Sequence, residues 1–200
     1  VLGSSGNDPI QLSRATADYN KVLPNQILLR SADDTDAFPL TGSVYVSGDI
    51  NGDGLSDLMI GVPRGDARTI NDGRVYVVFG KTDKNDIELN SSNASIGFTT
   101  ASSGFVINGV NSQDGILGYN SSVIGDFNGD GLADISLSGR DGVAIVYGKT
   151  SNSVVEMSSL LTQSQGLLVR GESIFGVLGT YAMTSRAGDI NGDGLDDLLV

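Results

Sequence analysis

The 200-residue chain carries 24 acidic and 12 basic side chains, no histidine and no cysteine, for a net charge of −12. That balance excludes a grip on a phosphate backbone. The missing residues exclude a Ser-His-Asp or Cys-His centre, a disulfide and a thiolate metal site. A hydrophobic share of 39% suffices for a core, and no apolar run of about 18 residues is present to span a bilayer as a helix.

Residues 1–25 are polar with little periodicity, and read as a linker or the remnant of a preceding unit. A short apolar run follows at 27–30, and another at 43–47. Next comes the nine-residue loop Asp-Ile-Asn-Gly-Asp-Gly-Leu-Ser-Asp, residues 49–57. Runs rich in Val, Ile, Tyr and Phe succeed it at 58–62, 73–81 and 104–109, separated by Gly, Asn, Asp and Ser. The order then repeats. A run at 122–124 precedes Asp-Phe-Asn-Gly-Asp-Gly-Leu-Ala-Asp at 126–134, and runs at 135–137 and 142–149 come after it. Residues 154–163 alone suggest a short turn of helix. A run at 166–171 and another at 181–183 lead to Asp-Ile-Asn-Gly-Asp-Gly-Leu-Asp-Asp at 189–197, and 198–200 opens the next strand.

Three near-identical loops, starting at 49, 126 and 189, mark an internal repeat of 60 to 80 residues. With strands on both sides, each loop is the tip of a β-hairpin. Each unit reads as four strands: one before the loop, one after it, a Tyr/Val-rich third and a fourth ending in Gly. Four antiparallel strands per unit make the blade of a β-propeller, so the fold class is all-β. About ten strands, or two and a half blades, fall short of a closed ring and imply a piece of a longer protein.

The loop chemistry is that of a hard cation. In the first copy Asp49, Asn51, Asp53 and Asp57 stand at positions 1, 3, 5 and 9, and Leu55 at position 7 offers its carbonyl. The second copy supplies Asp126, Asn128, Asp130, Leu132 and Asp134, and the third Asp189, Asn191, Asp193, Leu195 and Asp197. Oxygen ligands in a flexible set of six to eight suit Ca²⁺ better than Mg²⁺. Like charges about 4 Å apart repel by roughly 4 kcal/mol at an effective dielectric near 20, so a divalent ion would turn an opposing term into a favourable one. Three ions would bring the net charge to about −6. Acidic Asn-Gly and Asp-Gly turns without metal are the plain alternative; three copies of one spacing weigh against it. Position 12 holds Ile60, Leu137 and Val200, where an EF-hand needs a bidentate Glu. Asp196 at position 8, where the other copies have Ser56 and Ala133, is expected to be a bystander.

Phe175-Gly176 and Gly61-Val62-Pro63 resemble the paired signatures of FG-GAP repeats, and the Asp-x-Asn-x-Asp-Gly-x-x-Asp loop lies between two such signatures, as in that family. The resemblance covers most of residues 26–200. The second copy departs from it, with Leu117-Gly118 and Leu137-Ser138-Gly139, and the first has Leu40-Thr41-Gly42. Such repeats build the seven-bladed head of integrin α subunits and recur in bacterial extracellular proteins. The resemblance implies a propeller and three calcium sites on one rim made by the fifteen residues above; the rigid rims of a propeller would suit a protein or glycan ligand. The calcium loops suit a secreted or cell-surface location, where millimolar calcium does the work of disulfides.

Three functions compete. A calcium-stabilised adhesion or recognition module is the first reading, without catalysis. The second is an accessory propeller beside a secreted hydrolase domain that lies outside these residues. The third is a lectin-like propeller, against which the 6% aromatic content and absence of Trp argue. The tripeptide Arg64-Gly65-Asp66 reads as a chance product of a Gly/Asp-rich turn, as do the acceptor-like triplets at Asn90, Asn93 and Asn120. Tyr45, Tyr76 and Tyr147 read as packing residues.

Overall fold

A computed structural model describes residues 11–13, 28–31, 44–46, 48–63, 72–83, 85, 87–89, 98, 103–110, 117–139, 142–170 and 183–200. The chain order of strands is β1 (Gln11–Ser13), β2 (Leu28–Ser31), β3 (Val44–Val46), β4 (Leu58–Val62), β5 (Arg74–Val78), β6 (Ile87–Leu89) and β7 (Gly104–Asn108). There follow β8 (Ser121–Gly125), β9 (Asp134–Gly139), β10 (Gly142–Val146), β11 (Val155–Glu156), β12 (Gly166–Val169), β13 (Ser185–Gly188) and β14 (Asp197–Leu199). The helical turn expected within 154–163 is a single 3-10 turn, Met157–Ser159, just after β11.

The blades are formed by β3-β4-β5-β7 and by β8-β9-β10-β12, each antiparallel throughout. β13 and β14 form the opening hairpin of a third unit. Three short strands had no sequence signal strong enough to register, β1 among them, inside residues 1–25 that read as a linker or remnant. β11 adds to the first blade by running parallel to β7, and β6 joins β2 and β1 in a small parallel sheet. The apolar run at 27–30 is thus met in the structure as β2, the middle strand of this parallel sheet. The strand before the third loop also differs from expectation. It is Ser185–Gly188, not the apolar run at 181–183, of which only Met183 is described; that side chain is 82% exposed. Polar Ser-Arg-Ala-Gly is paired because the hairpin, not hydrophobicity, sets its register. The ladder shifts between Arg186 and Gly188, as it does between Val123 and Gly125 in the second unit. A bulge two residues before the loop turns the chain into it in both units.

Strands β4, β5 and β7 are buried along their whole length. Alternate residues serve different cores, because successive side chains leave opposite faces of a strand. Met59, Val75, Val77, Phe105 and Ile107 face the second blade and meet Ile135, Leu137, Ala144 and Val146. Leu58, Ile60, Val62, Tyr76, Val78 and Val106 pack with Ile87, Leu89 and Phe98. Tyr76 is therefore a packing residue, edge-on to Phe98 with ring centroids 5.9 Å apart. Its hydroxyl accepts from the buried Arg74 Nη1 at 3.0 Å, and Arg74 Nε donates to Asn108 Oδ1 at 3.2 Å. Asn108 Nδ2 then reaches Glu156 Oε1 at 3.1 Å, which ties β11 to β7.

The two blades approach each other closely, backbone to backbone, at a pair of glycines. A Cβ on Gly61 would lie 2.1 Å from the Gly118 carbonyl oxygen. Gly118 stands where the second unit carries Leu-Gly in place of Phe-Gly, so the two glycine-containing signatures of neighbouring units meet there. Leu117 beside it is buried in the shared core. Gly61→Ala is expected to force the blades apart and cost about 1–3 kcal/mol, as overpacking does when the obstacle is main chain. Urea unfolding would show it as a lower midpoint, and an unchanged midpoint would refute the close approach.

Candidate functional site

Each acidic loop is the tip of the hairpin joining the first two strands of its unit. In the first, the Asp57 N–H donates to the Gly48 carbonyl at 3.1 Å and closes the base. Above it, side-chain oxygens hold the turn by accepting main-chain amides. Asp49 Oδ1 accepts from Asp53 N at 3.0 Å and Asp49 Oδ2 from Gly54 N at 2.8 Å. Asn51 Oδ1 accepts from Asp53 N at 3.0 Å, and Asp53 Oδ1 from Leu55 N at 2.8 Å. Gly52 and Gly54 take φ of +76° and +84°, which lets the chain turn this sharply.

The pattern recurs residue for residue. Asp126 accepts from Asp130 N and Gly131 N, Asn128 from Asp130 N, and Asp130 from Leu132 N, at 2.8 to 3.0 Å. Asp189 accepts from Asp193 N and Gly194 N, Asn191 from Asp193 N, and Asp193 from Leu195 N, at 2.9 to 3.0 Å. Positions 1, 3 and 5 are thus brought together in all three loops.

Position 9 is used differently. Asp57 and Asp134 are buried at the base of their loops. Asp57 Oδ2 accepts from Ile50 N at 2.6 Å and Oδ1 from Gly80 N at 2.8 Å. Asp134 Oδ2 accepts from Phe127 N and Asn128 N at 2.9 and 3.1 Å, and Oδ1 from Gly148 N at 2.8 Å. Each therefore ties the loop to the end of the third strand of its own unit. Asp197 Oδ2 accepts from Ile190 N at 2.8 Å. Burial pushes the Asp57 and Asp134 carboxyls up to about 6, against the opposing pull of these amides.

Among the described residues no three Asp, Glu, His or Cys side chains gather as a metal cluster. The acids at positions 1 and 5 share the tip with an Asn, and the acid at position 9 is held below. The donor set still suits a hard cation. It consists of carboxylate and amide oxygens and is preshaped by main-chain amides; in the first loop Asp49 and Asn51 are half-buried and Asp53 is exposed.

Asp196 is no bystander. Its backbone N–H donates to the Asp126 carbonyl at 3.0 Å, and its Oδ2 accepts from Asp126 N at 2.9 Å. Arg186 grips the same carboxylate from β13, Nε to Oδ1 at 2.7 Å and Nη2 to Oδ2 at 2.9 Å. That pairing holds the Asp196 carboxyl below its ordinary range. Sequence reasoning missed it because the partner is a loop 70 residues away. The signal was that an acid stands at position 8 in the third copy alone.

Arg64-Gly65-Asp66, Phe175-Gly176 and Leu40-Thr41-Gly42 lie outside the described residues. No helix among the described residues is long and apolar enough to cross a membrane. No curated protein matches the chain. The profile of the FG-GAP repeat matches residues 41–78, which hold the first loop with β3, β4 and β5 around it. Repeats of this kind occur mainly in extracellular or surface proteins. The chain thus carries an FG-GAP repeat at residues 41–78, within an all-β fold of β-propeller blades.

Proposed function

We propose that this chain is a calcium-binding propeller segment of a secreted or cell-surface protein, serving as an adhesion or recognition module. The observation that carries the proposal is the threefold recurrence of one loop geometry at equivalent hairpin tips. Asp49, Asn51, Asp53 and the Leu55 carbonyl would hold the first ion, with Asp57 closing the set from below. Asp126, Asn128, Asp130, Leu132 and Asp134 would hold the second, and Asp189, Asn191, Asp193, Leu195 and Asp197 the third. Bound Ca²⁺ supplies the positive charge that offsets the mutual repulsion of these acids. The chain's own part is to preshape the oxygens. Amides of positions 5, 6 and 7 fix the side chains at positions 1, 3 and 5, so little ordering remains to be done on binding.

A stiff set of blades with its loops locked presents a fixed rim to a protein or glycan partner. The sequence supplies no histidine-based catalytic centre, which favours recognition over a hydrolytic role for these residues. Isothermal calorimetry on the chain is expected to give three calcium ions, and two in each of Asp53→Ala, Asp130→Ala and Asp193→Ala. Three ions still bound by those variants would refute the ligand assignment. Recognition is tested by coating beads with the chain and adding cells. Retention in calcium that is lost in EDTA is expected; equal retention in both would remove calcium from the role.

A further inference from the structure

Consecutive loops are linked in one register. Position 8 of the second loop donates its N–H to the carbonyl of position 1 of the first, Ala133 to Asp49 at 3.1 Å. Position 8 of the third does the same to the second, Asp196 to Asp126 at 3.0 Å. Position 7 follows suit. The Leu132 side chain lies against the first loop at Gly52, and Leu195 against the second at Gly129. The first and second loops are therefore each backed by the loop of the following unit.

At the second junction the backing is stronger. Ala133 has no side-chain acceptor, whereas Asp196 takes the Asp126 amide at 2.9 Å and is itself clamped by both ends of the Arg186 guanidinium fork. Asp126 thus has its N–H and its C=O both held by one residue of the following unit. Its carboxylate meanwhile accepts from Gly129, Asp130 and Gly131. The packing leaves no slack: a Cβ on Gly125 would fall 2.0 Å from Asp196 Oδ2. Ser136 Oγ and Thr184 Oγ1, 2.6 Å apart, pin the same two units from the strand side.

We infer that Asp196, oriented by Arg186, is a positioning residue for the second calcium loop, so that full affinity at Asp126, Asn128 and Asp130 requires the third unit to be docked. The inference rests on the calcium reading of the loops. Groups that orient the ligands of a metal ion typically matter by about 10- to 100-fold in affinity. The consequence is a directional coupling along the rim: a change in the third unit reaches the site in the second, while the first, backed by Ala133, is untouched.

The test is a calcium titration of the chain by NMR, following the amides of Gly54, Gly131 and Gly194, one in each loop. Asp196→Ala is expected to weaken the site reported by Gly131 about tenfold and leave that reported by Gly54 unchanged. Asp196→Asn, which keeps an acceptor but loses the ion pair, should fall between the two and guards against misfolding of the first variant. In EDTA, hydrogen exchange at the Asp126 amide should quicken in Asp196→Ala, a readout that needs no metal. Wild-type affinity at Gly131 in both variants, or equal weakening at Gly54, would overturn the inference. If none of the three amides responds to calcium in the unaltered chain, the calcium reading itself fails, and the inference with it.

Discussion

Chelation with EDTA is expected to lower the melting temperature by about 10 °C, and about 1 mM calcium to restore it. A site with Kd near 10⁻⁴ M adds roughly 1.4 kcal/mol at that concentration, so three sites add roughly 4 kcal/mol. In a domain of this length each kcal/mol is worth about 2–4 °C. The effect is large because no disulfide is available to hold the hairpin tips, the chain having no cysteine. It is also large because two acids and an amide are crowded at each tip by main-chain amides that the fold has already committed to them. Differential scanning calorimetry with and without chelator measures it. Identical curves would show that the loops are ordinary acidic turns.

Phe105→Ala is expected to destabilise the chain by about 3–5 kcal/mol, the range for deleting a fully buried aromatic ring. Phe105 lies in the core shared by the two blades and has no exposed surface. Its ring stands 5.9 Å from that of Phe79 and carries the Lys149 ammonium 4.8 Å above it. Truncation therefore empties space between sheets whose main chains already touch at Gly61 and Gly118, where little collapse is possible. The Lys149 site reports the same packing: burial pushes its ammonium down to about 8. Leu161→Ala, at a side chain 58% exposed, is the control and should stay within about 0.5 kcal/mol. Urea unfolding that showed less than about 1 kcal/mol for Phe105→Ala would contradict the interlocking of the two blades.

Much of this was legible before any coordinates. Strand β4 lies where its apolar run placed it, and β5, β7, β10 and β12 fall inside the runs that announced them. The reason is physical: these strands are buried on one or both faces, and burial writes itself into composition. The edge strand β13 was misplaced because it is polar and set by its hairpin partner. β6 and β11, of three and two residues, are too short to carry a period and depend on neighbours distant in sequence. The loop was legible because its acidic and amide residues all fall within nine consecutive positions. Two features were not. One is the descent of Asp57 and Asp134 to the loop base, which depends on Gly80 and Gly148 at the ends of other strands. The other is the Asp196 clasp, which exists only once two units dock.

The central claim is that three equivalent hairpin tips each enclose a calcium ion. Crystals of the chain grown in calcium, with diffraction collected at long wavelength, address it most directly through the anomalous difference map. Three peaks are predicted, one within the oxygens of Asp49, Asn51 and Asp53 and one at each of the two matching loops. A map without peaks at those tips, under calcium well above 1 mM (about tenfold the Kd taken above), would contradict it.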